Sequence, residues 1–197
     1  MKKIIVTIAA ALMACVCANA QFRVDVNAST TVYSFDNVSI DSKLAPAVRV
    51  YTNVLDNGRS GLELGLGYVQ RKGVNNSGGD NKEMTINDLE LPVRFFYNIK
   101  LGNILTITPL IGVYADYAIG GKTVLGVGST NLVENSPFDG AQGMKRFDFG
   151  GDDEILLTIG QHLTAGVGVQ YGFLNLCKDS SISVKPATAY LGIGWRF

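Results

Sequence analysis

The chain has 197 residues, enough for one domain, and its 17 Lys and Arg balance 17 Asp and Glu, which argues against nucleic acid as a partner. Of the three cysteines, Cys15 and Cys17 fall in a segment read below as cleaved, and Cys177 alone can form neither an internal disulfide nor a thiolate metal cluster. The 23 glycines with scattered aromatics, and the lack of a long apolar run after the N-terminus, suit a β-barrel whose strands carry small residues on a narrow interior side.

Met1-Lys2-Lys3 is a basic n-region, residues 4–12 an apolar h-region, and Ala18-Asn19-Ala20 a small-x-small site ahead of Gln21. Residues 1–20 are therefore expected to be a cleaved export signal and 21–197 the mature barrel. Leu12-Met13-Ala14-Cys15 loosely matches a lipobox, the rival reading, but the apolar run before it is short. A membrane-spanning helix fails on length, since it needs about 20 apolar residues. Loss of Lys2 and Lys3 leaves 15 basic against 17 acidic residues.

From residue 22 the chain alternates with a period of two, the signature of strands with one apolar face. Phe22, Val24, Val26 and Ala28 alternate with Arg23, Asp25 and Asn27; a polar loop over 34–43 and a second strand over 44–53 follow. Asp56-Asn57-Gly58 reads as a tight turn. The third strand sets Leu62, Leu64, Leu66 and Tyr68 against Glu63, Gly65 and Gly67, and leads into a loop over 73–82. The fourth sets Leu89, Leu91, Val93, Phe95 and Tyr97 against Asp88, Glu90, Pro92, Arg94 and Phe96; the fifth sets Leu105, Ile107, Ile111, Val113 and Tyr117 against Thr106, Thr108, Gly112, Tyr114 and Asp116. The longest connection covers 120–144. In the sixth strand, 146–159, the run Asp152-Asp153-Glu154 breaks the alternation and predicts a bulge or a late start. After the turn Gly160-Gln161, the seventh strand sets Leu163, Ala165, Val167, Val169, Tyr171 and Phe173 against Thr164, Gly166, Gly168, Gln170 and Gly172. A polar loop over 175–185 leads to the last strand, where Ala187, Ala189, Leu191, Ile193, Trp195 and Phe197 alternate with Thr188, Tyr190, Gly192, Gly194 and Arg196.

These eight strands predict an all-β fold, an eight-stranded antiparallel transmembrane up-and-down barrel. Long polar connections after the odd strands and short ones after the even strands match extracellular loops and periplasmic turns. A soluble lipocalin-like carrier would turn its apolar faces inward, and the faces opposite the Leu, Ile, Val and aromatic rows here, rich in Gly, Thr and charge, do not fill a greasy cavity.

The last strand, ending in Leu191, Ile193, Trp195 and Phe197, resembles the closing strand of bacterial outer-membrane barrels, which the barrel-assembly machinery recognises by a C-terminal aromatic. Further stretches resemble the PorT-like outer-membrane β-barrel family: Leu89-x-x-Pro92-x-x-x-x-Tyr97-Asn98 in the fourth strand, the segment 61–73, Thr108-Pro109-Leu110-Ile111-Gly112-Val113-Tyr114, Arg146-Phe147-Asp148-Phe149-Gly150, and Gln170-Tyr171-Gly172-Phe173-Leu174-Asn175-Leu176. The resemblance covers nearly the whole mature chain, and the order of its loose motifs carries it. It implies an eight-stranded outer-membrane barrel and a part in protein secretion, with outer-membrane lipid, the assembly machinery and secretion-system proteins as partners. The family has no catalytic motif, and the acidic run at 152–154 departs from its smoother glycine-rich strand.

A lipid-facing Lys or Arg at mid-membrane costs about 2–4 kcal/mol, so strand charges are expected to point inward and pair. Glu63, Glu90, Arg94, Asp116, Asp148, Asp152 and Glu154 are the candidates for that interior network, either as an ion path or as a polar plug. The plug is favoured because eight strands leave an interior just wide enough for side chains. Catalysis is not expected: the lone His162 sits at a turn with no serine nucleophile beside it. The acidic run lacks a spaced loop motif for a divalent cation, and Gly120-Gly121-Lys122-Thr123 lacks the earlier glycine of a phosphate-binding loop. No cofactor or metal is expected. The functional expectation is a non-enzymatic integral outer-membrane barrel, possible roles being an accessory of secretion or envelope assembly and, alternatively, a structural or adhesive surface barrel acting through its loops.

Overall fold

The computed structural model describes residues 22–35, 38–75, 80–127, 130–140 and 143–197; the expected signal segment lies outside them. The strands are β1 (Phe22–Phe35), β2 (Val38–Lys43), β3 (Ala45–Val54), β4 (Ser60–Asn75), β5 (Asp80–Tyr97), β6 (Ile99–Leu101), β7 (Leu105–Val127), β8 (Thr130–Asn135), β9 (Phe147–Ile159), β10 (Leu163–Gly172) and β11 (Val184–Arg196). Leu44 alone separates β2 from β3, Asn98 alone separates β5 from β6, and β8 folds back on the far end of β7. The result is an eight-stranded antiparallel barrel, with neighbours following chain order. It closes where β1 pairs with β11, from Arg23↔Arg196 to Phe35↔Val184.

The alternation decides which side chains go in. On β1, Arg23, Asp25, Asn27, Ser29, Thr31 and Tyr33 are buried, while Phe22, Val26 and Val32 are exposed. The same rule puts Leu191, Ile193, Trp195 and Phe197 outside on β11 and its end, with Tyr190 inside. The outer surface is thus an apolar belt, edged by aromatics. At the short-turn end Phe22 stacks on Phe197 at 4.5 Å and Trp195 on His162 at 5.2 Å. Toward the long-loop end stand Tyr68, Tyr117, Phe147 and Tyr171, with Phe149 and Phe173 edge to face at 6.0 Å.

Two expectations need correction. No bulge interrupts β9 at Asp152-Asp153-Glu154: those residues pair without a break with Gly112, Ile111 and Leu110 of β7 and with Gln170, Val169 and Gly168 of β10. Charge stands on both faces there, so the hydropathy pattern breaks while the backbone ladder does not. Register shifts lie instead between Asn87 and Asp88, opposite β7, and between Leu125 and Gly126, opposite β8. Secondly, much of the chain expected as loop is sheet. β4, β5 and β7 run to 16, 18 and 23 residues, against the 9–11 that cross a bilayer. The part of β7 beyond Tyr117 adds roughly 30 Å of strand. It pairs with the start of β5 and with β8, so the wall rises high on this side. β9, β10 and β11 stop lower.

At the short-turn end, Asp56 and Asn57 build the link between β3 and β4. Asp56 Oδ1 accepts from the Gly58 N–H at 2.6 Å, Asn57 Oδ1 accepts from the Arg59 and Ser60 N–H groups, and Gly58 takes the left-handed φ of 83° that a side chain would strain.

Candidate functional site: a filled lumen under a loop lid

The lumen is stacked in layers. Nearest the short turns, Phe96, Leu110 and Leu156 form a small apolar floor. Above it Arg94, fully buried, donates from Nη1 to Glu154 Oε2 at 2.6 Å and from Nη2 to Glu63 Oε1, and Nη1 lies 3.4 Å from Asp152 Oδ2. Tyr190 Oη donates to Asp152 Oδ1 at 2.9 Å. Arg23 shares two of these carboxylates and adds a third: its Nη2 is 3.5 Å from Glu63 and 3.7 Å from Glu154, and its Nε is 3.0 Å from Asp25. The Tyr51 ring lies against both guanidiniums, 4.6 Å from Arg23 and 4.3 Å from Arg94.

The next layer belongs to Arg49. Its Nε and Nη2 grip Glu90 in a fork at 2.7 and 3.2 Å, its Nη1 donates to Asn27 at 3.1 Å, and its plane lies 4.7 Å from the Tyr190 ring. Gln170 Nε2 supplies a further donor to Glu90 at 3.0 Å. Higher still, Arg71 donates to Asp88 at 2.7 Å and to Asp116, and Tyr114 Oη donates to Asp148 at 2.8 Å.

Small residues make these layers possible. A Cβ on Gly166 would lie 2.1 Å from Glu154 Oε1, and one on Gly168 would lie 2.3 Å from the Tyr190 ring. Gly65 admits Tyr51 and Pro92 in the same way, at 2.6 and 2.7 Å. The interior glycines are the space that long charged side chains from neighbouring strands occupy.

All seven candidates lie inside. Glu63, Arg94, Asp152 and Glu154 meet in one cluster, Glu90 sits a layer above with Arg49, and Asp116 and Asp148 belong to the separate group around Arg71 and Tyr114. Sequence reasoning missed Arg23, Asp25, Arg49, Arg71 and Asp88, and with them three of the four fully enclosed arginines that hold the acids. The alternation on β1 and β4 already puts Arg23, Asp25 and Arg71 on the side opposite the Val and Leu rows, so the signal was there. Asp152 and Glu154 are held by Arg94, while Asp153 points the other way, which splits the acidic run between two faces. His162 donates from Nδ1 to the Arg196 carbonyl at 2.8 Å as it stacks on Trp195, so it fastens the end of β11.

The long-loop end is closed by apolar side chains. Phe138, Met144, Leu176 and Cys177 pack with Tyr33, Ile86, Ala118 and Val184 across the mouth. Cys177, which falls in the polar loop expected over 175–185, is buried there. Two connections supply this lid and are zipped together. The Lys145 N–H donates to Leu176 O at 2.6 Å, the Lys178 N–H to Gly143 O at 3.0 Å, and Met144 bridges Cys177. Lys178 Nζ donates to Phe138 O, Lys145 Nζ to Asn175 O, and Arg146 spans to Ala118 O while lying 4.2 Å from the Phe138 ring. Beneath the lid is a cavity of about 20 Å³ bordered by Arg71, Asp116 and Asp148, room for about one water.

No family model and no curated protein sequence matches the chain. Solved structures of similar fold exist. Neisserial surface protein A aligns with a TM-score of 0.55 at 11% identity, over 89% of this chain and 97% of that one. Ail, the attachment invasion locus protein of Yersinia pestis, solved in complex with the heparin analogue sucrose octasulfate, aligns at 0.51 and 14% identity, over 91% of this chain and 99% of its own. At these identities the likeness is one of fold, an outer-membrane-type eight-stranded barrel.

Proposed function

We propose that this is a non-enzymatic integral outer-membrane barrel that acts through its extracellular surface. The observation that carries the reading is the contrast between a lumen filled from floor to lid and a sheet of β4, β5, β7 and β8 that continues above the aromatic edge. A lumen filled by the described side chains does not suit passage of a solute, and the projecting sheet is a surface open to a partner. On its outward side Lys43, Lys72 and Lys122 stand in one register line across β2, β4 and β7, with the buried Thr85 of β5 between Lys72 and Lys122 and with Glu83 paired to Lys43, a line of three lysines. Such a row suits an anionic surface or glycan, and the sulfated sugar bound by Ail is a ligand of that chemistry. The apolar belt is the lipid contact, and Leu191, Ile193, Trp195 and Phe197 are the recognition strand for the barrel-assembly machinery. An export signal over 1–20 and outer-membrane localisation belong to the same reading.

The second reading is an accessory of protein secretion or envelope assembly. The PorT-like order of motifs favours it, as does an open groove of about 560 Å³ at the short-turn end, bordered by Arg59, Tyr97 and Lys100, where a periplasmic partner could seat. Purification of the tagged protein from outer membranes after brief crosslinking tests the choice. Stoichiometric secretion or assembly components make the second reading the working one. A lone, heat-modifiable barrel whose exposed sheet retains sulfated glycan keeps the first, and a protein soluble without detergent overturns both.

A further inference from the structure

Asp153 is the member of the acidic run that the lumen does not use. Directly opposed residues of paired strands point to the same side of a sheet, and Asp153 lies opposite Ile111 of β7 and Val169 of β10. Ile111 is 65% exposed on the outer surface. Asp153 is also the midpoint of β9, which runs from Phe147 to Ile159. On β7, β9, β10 and β11 the other outward positions between the aromatic edges are apolar or glycine, and among the described residues no hydrogen bond or ion pair reaches its carboxylate.

An ionisable side chain at that depth is costly, and such residues in spanning segments normally face a partner or a water-filled space. The fold does not ask for it. Asp152 and Glu154 supply the ligands for Arg94, and an apolar residue at 153 would continue the row of Ile155 and Leu157. The surroundings also admit close approach. A Cβ on Gly151 would meet only the Phe173 ring, at 3.4 Å, and Val169 is followed across the next strand pair by Ala189. Small residues at a lipid-facing surface let a neighbouring backbone come near.

We propose that Asp153 and the outward face of β7, β9 and β10 around it form a lateral docking site, inside the membrane, for a spanning segment of another protein that brings Lys or Arg to mid-depth. A second copy of this chain does not meet the requirement, because among the described residues no outward position between the aromatic edges carries Lys or Arg. The inference rests on the barrel spanning the outer membrane.

The test uses the full chain in its own outer membranes, with a photo-crosslinking side chain at Val167, which is outward, 59% exposed and on the strand beside Asp153. The expected result is one adduct whose partner peptide lies in a membrane-spanning segment containing Lys or Arg. Its yield falls at least tenfold in Asp153→Leu and is kept in Asp153→Glu. The purified D153L barrel, in lipid vesicles, should resist urea at least as well as the parent, so the loss is not misfolding. An adduct that persists in D153L, an adduct between two copies, or no adduct from a heat-modifiable barrel in the outer-membrane fraction overturns the proposal. A chain absent from that fraction overturns the membrane reading itself, a distinguishable failure.

Discussion

The lumen and its lid are both buried, yet they are built on opposite chemistry. The lumen is held by arginines among carboxylates, presented by strands whose alternation leaves no choice about which side chains face inward. The lid is apolar and comes from connections, where Phe138, Met144 and Leu176 reach the mouth because backbone hydrogen bonds between the two loops carry them there. Global stability therefore resides in the charged lumen and not in the lid. A buried ion cluster fails when one member is removed, because its partners are left charged and unpaired, whereas a loop lid opens locally without taking the barrel with it.

The largest effect is therefore expected in the charged core. Arg94→Ala leaves Glu63, Asp152 and Glu154 without their shared cation and should lower stability by about 3–5 kcal/mol, read as the urea midpoint of the barrel refolded in lipid vesicles. Arg94→Lys should recover only part of this, since an ammonium cannot reach several carboxylates at once as a guanidinium does. Next comes Gly168→Ala, which forces a methyl group toward Tyr190 and should cost about 1–3 kcal/mol by overpacking in the same assay.

The lid should behave differently. Phe138→Ala should shift the global urea midpoint by less than about 0.5 kcal/mol, as local opening does not count toward global unfolding. It should raise the rate of maleimide labelling at Cys177 about tenfold, because Phe138 belongs to the apolar cluster that buries that thiol; equal labelling would mean that the strand residues of the cluster protect Cys177 without it. The smallest change is expected at the exposed pair Lys43–Glu83, 2.8 Å apart with both side chains about half exposed. Lys43→Gln should alter stability by less than about 1 kcal/mol and should lose even that in high salt. In planar bilayers the parent should give no stable conductance, and a steady current would mean that the layers of the lumen part.

The period of two was enough to find the strands. It also gave their faces, so that Glu63, Glu90 and Arg94 were recognisable as interior residues before their partners were known. Their pairing was not legible, because a carboxylate on β4 and one on β9 meet the same guanidinium only after the sheet has closed. The acidic run shows a related limit of hydropathy: the pattern breaks where charge stands on both faces, while the ladder through Asp152, Asp153 and Glu154 is continuous. Polarity suggests a loop after Tyr117, yet β7 stays extended through Gly120 and Gly121 because β5 and then β8 supply hydrogen bonds along it.

The barrel, its eight wall strands and the faces of the stretches with unbroken alternation were legible in the sequence, since these follow from local alternation and turn chemistry. The tertiary structure alone decided which charges neutralise one another, that the mouth is shut by apolar side chains, and that Asp153 is left facing outward. Those outcomes depend on contacts between residues far apart in the chain, and closure of the sheet is what brings them together.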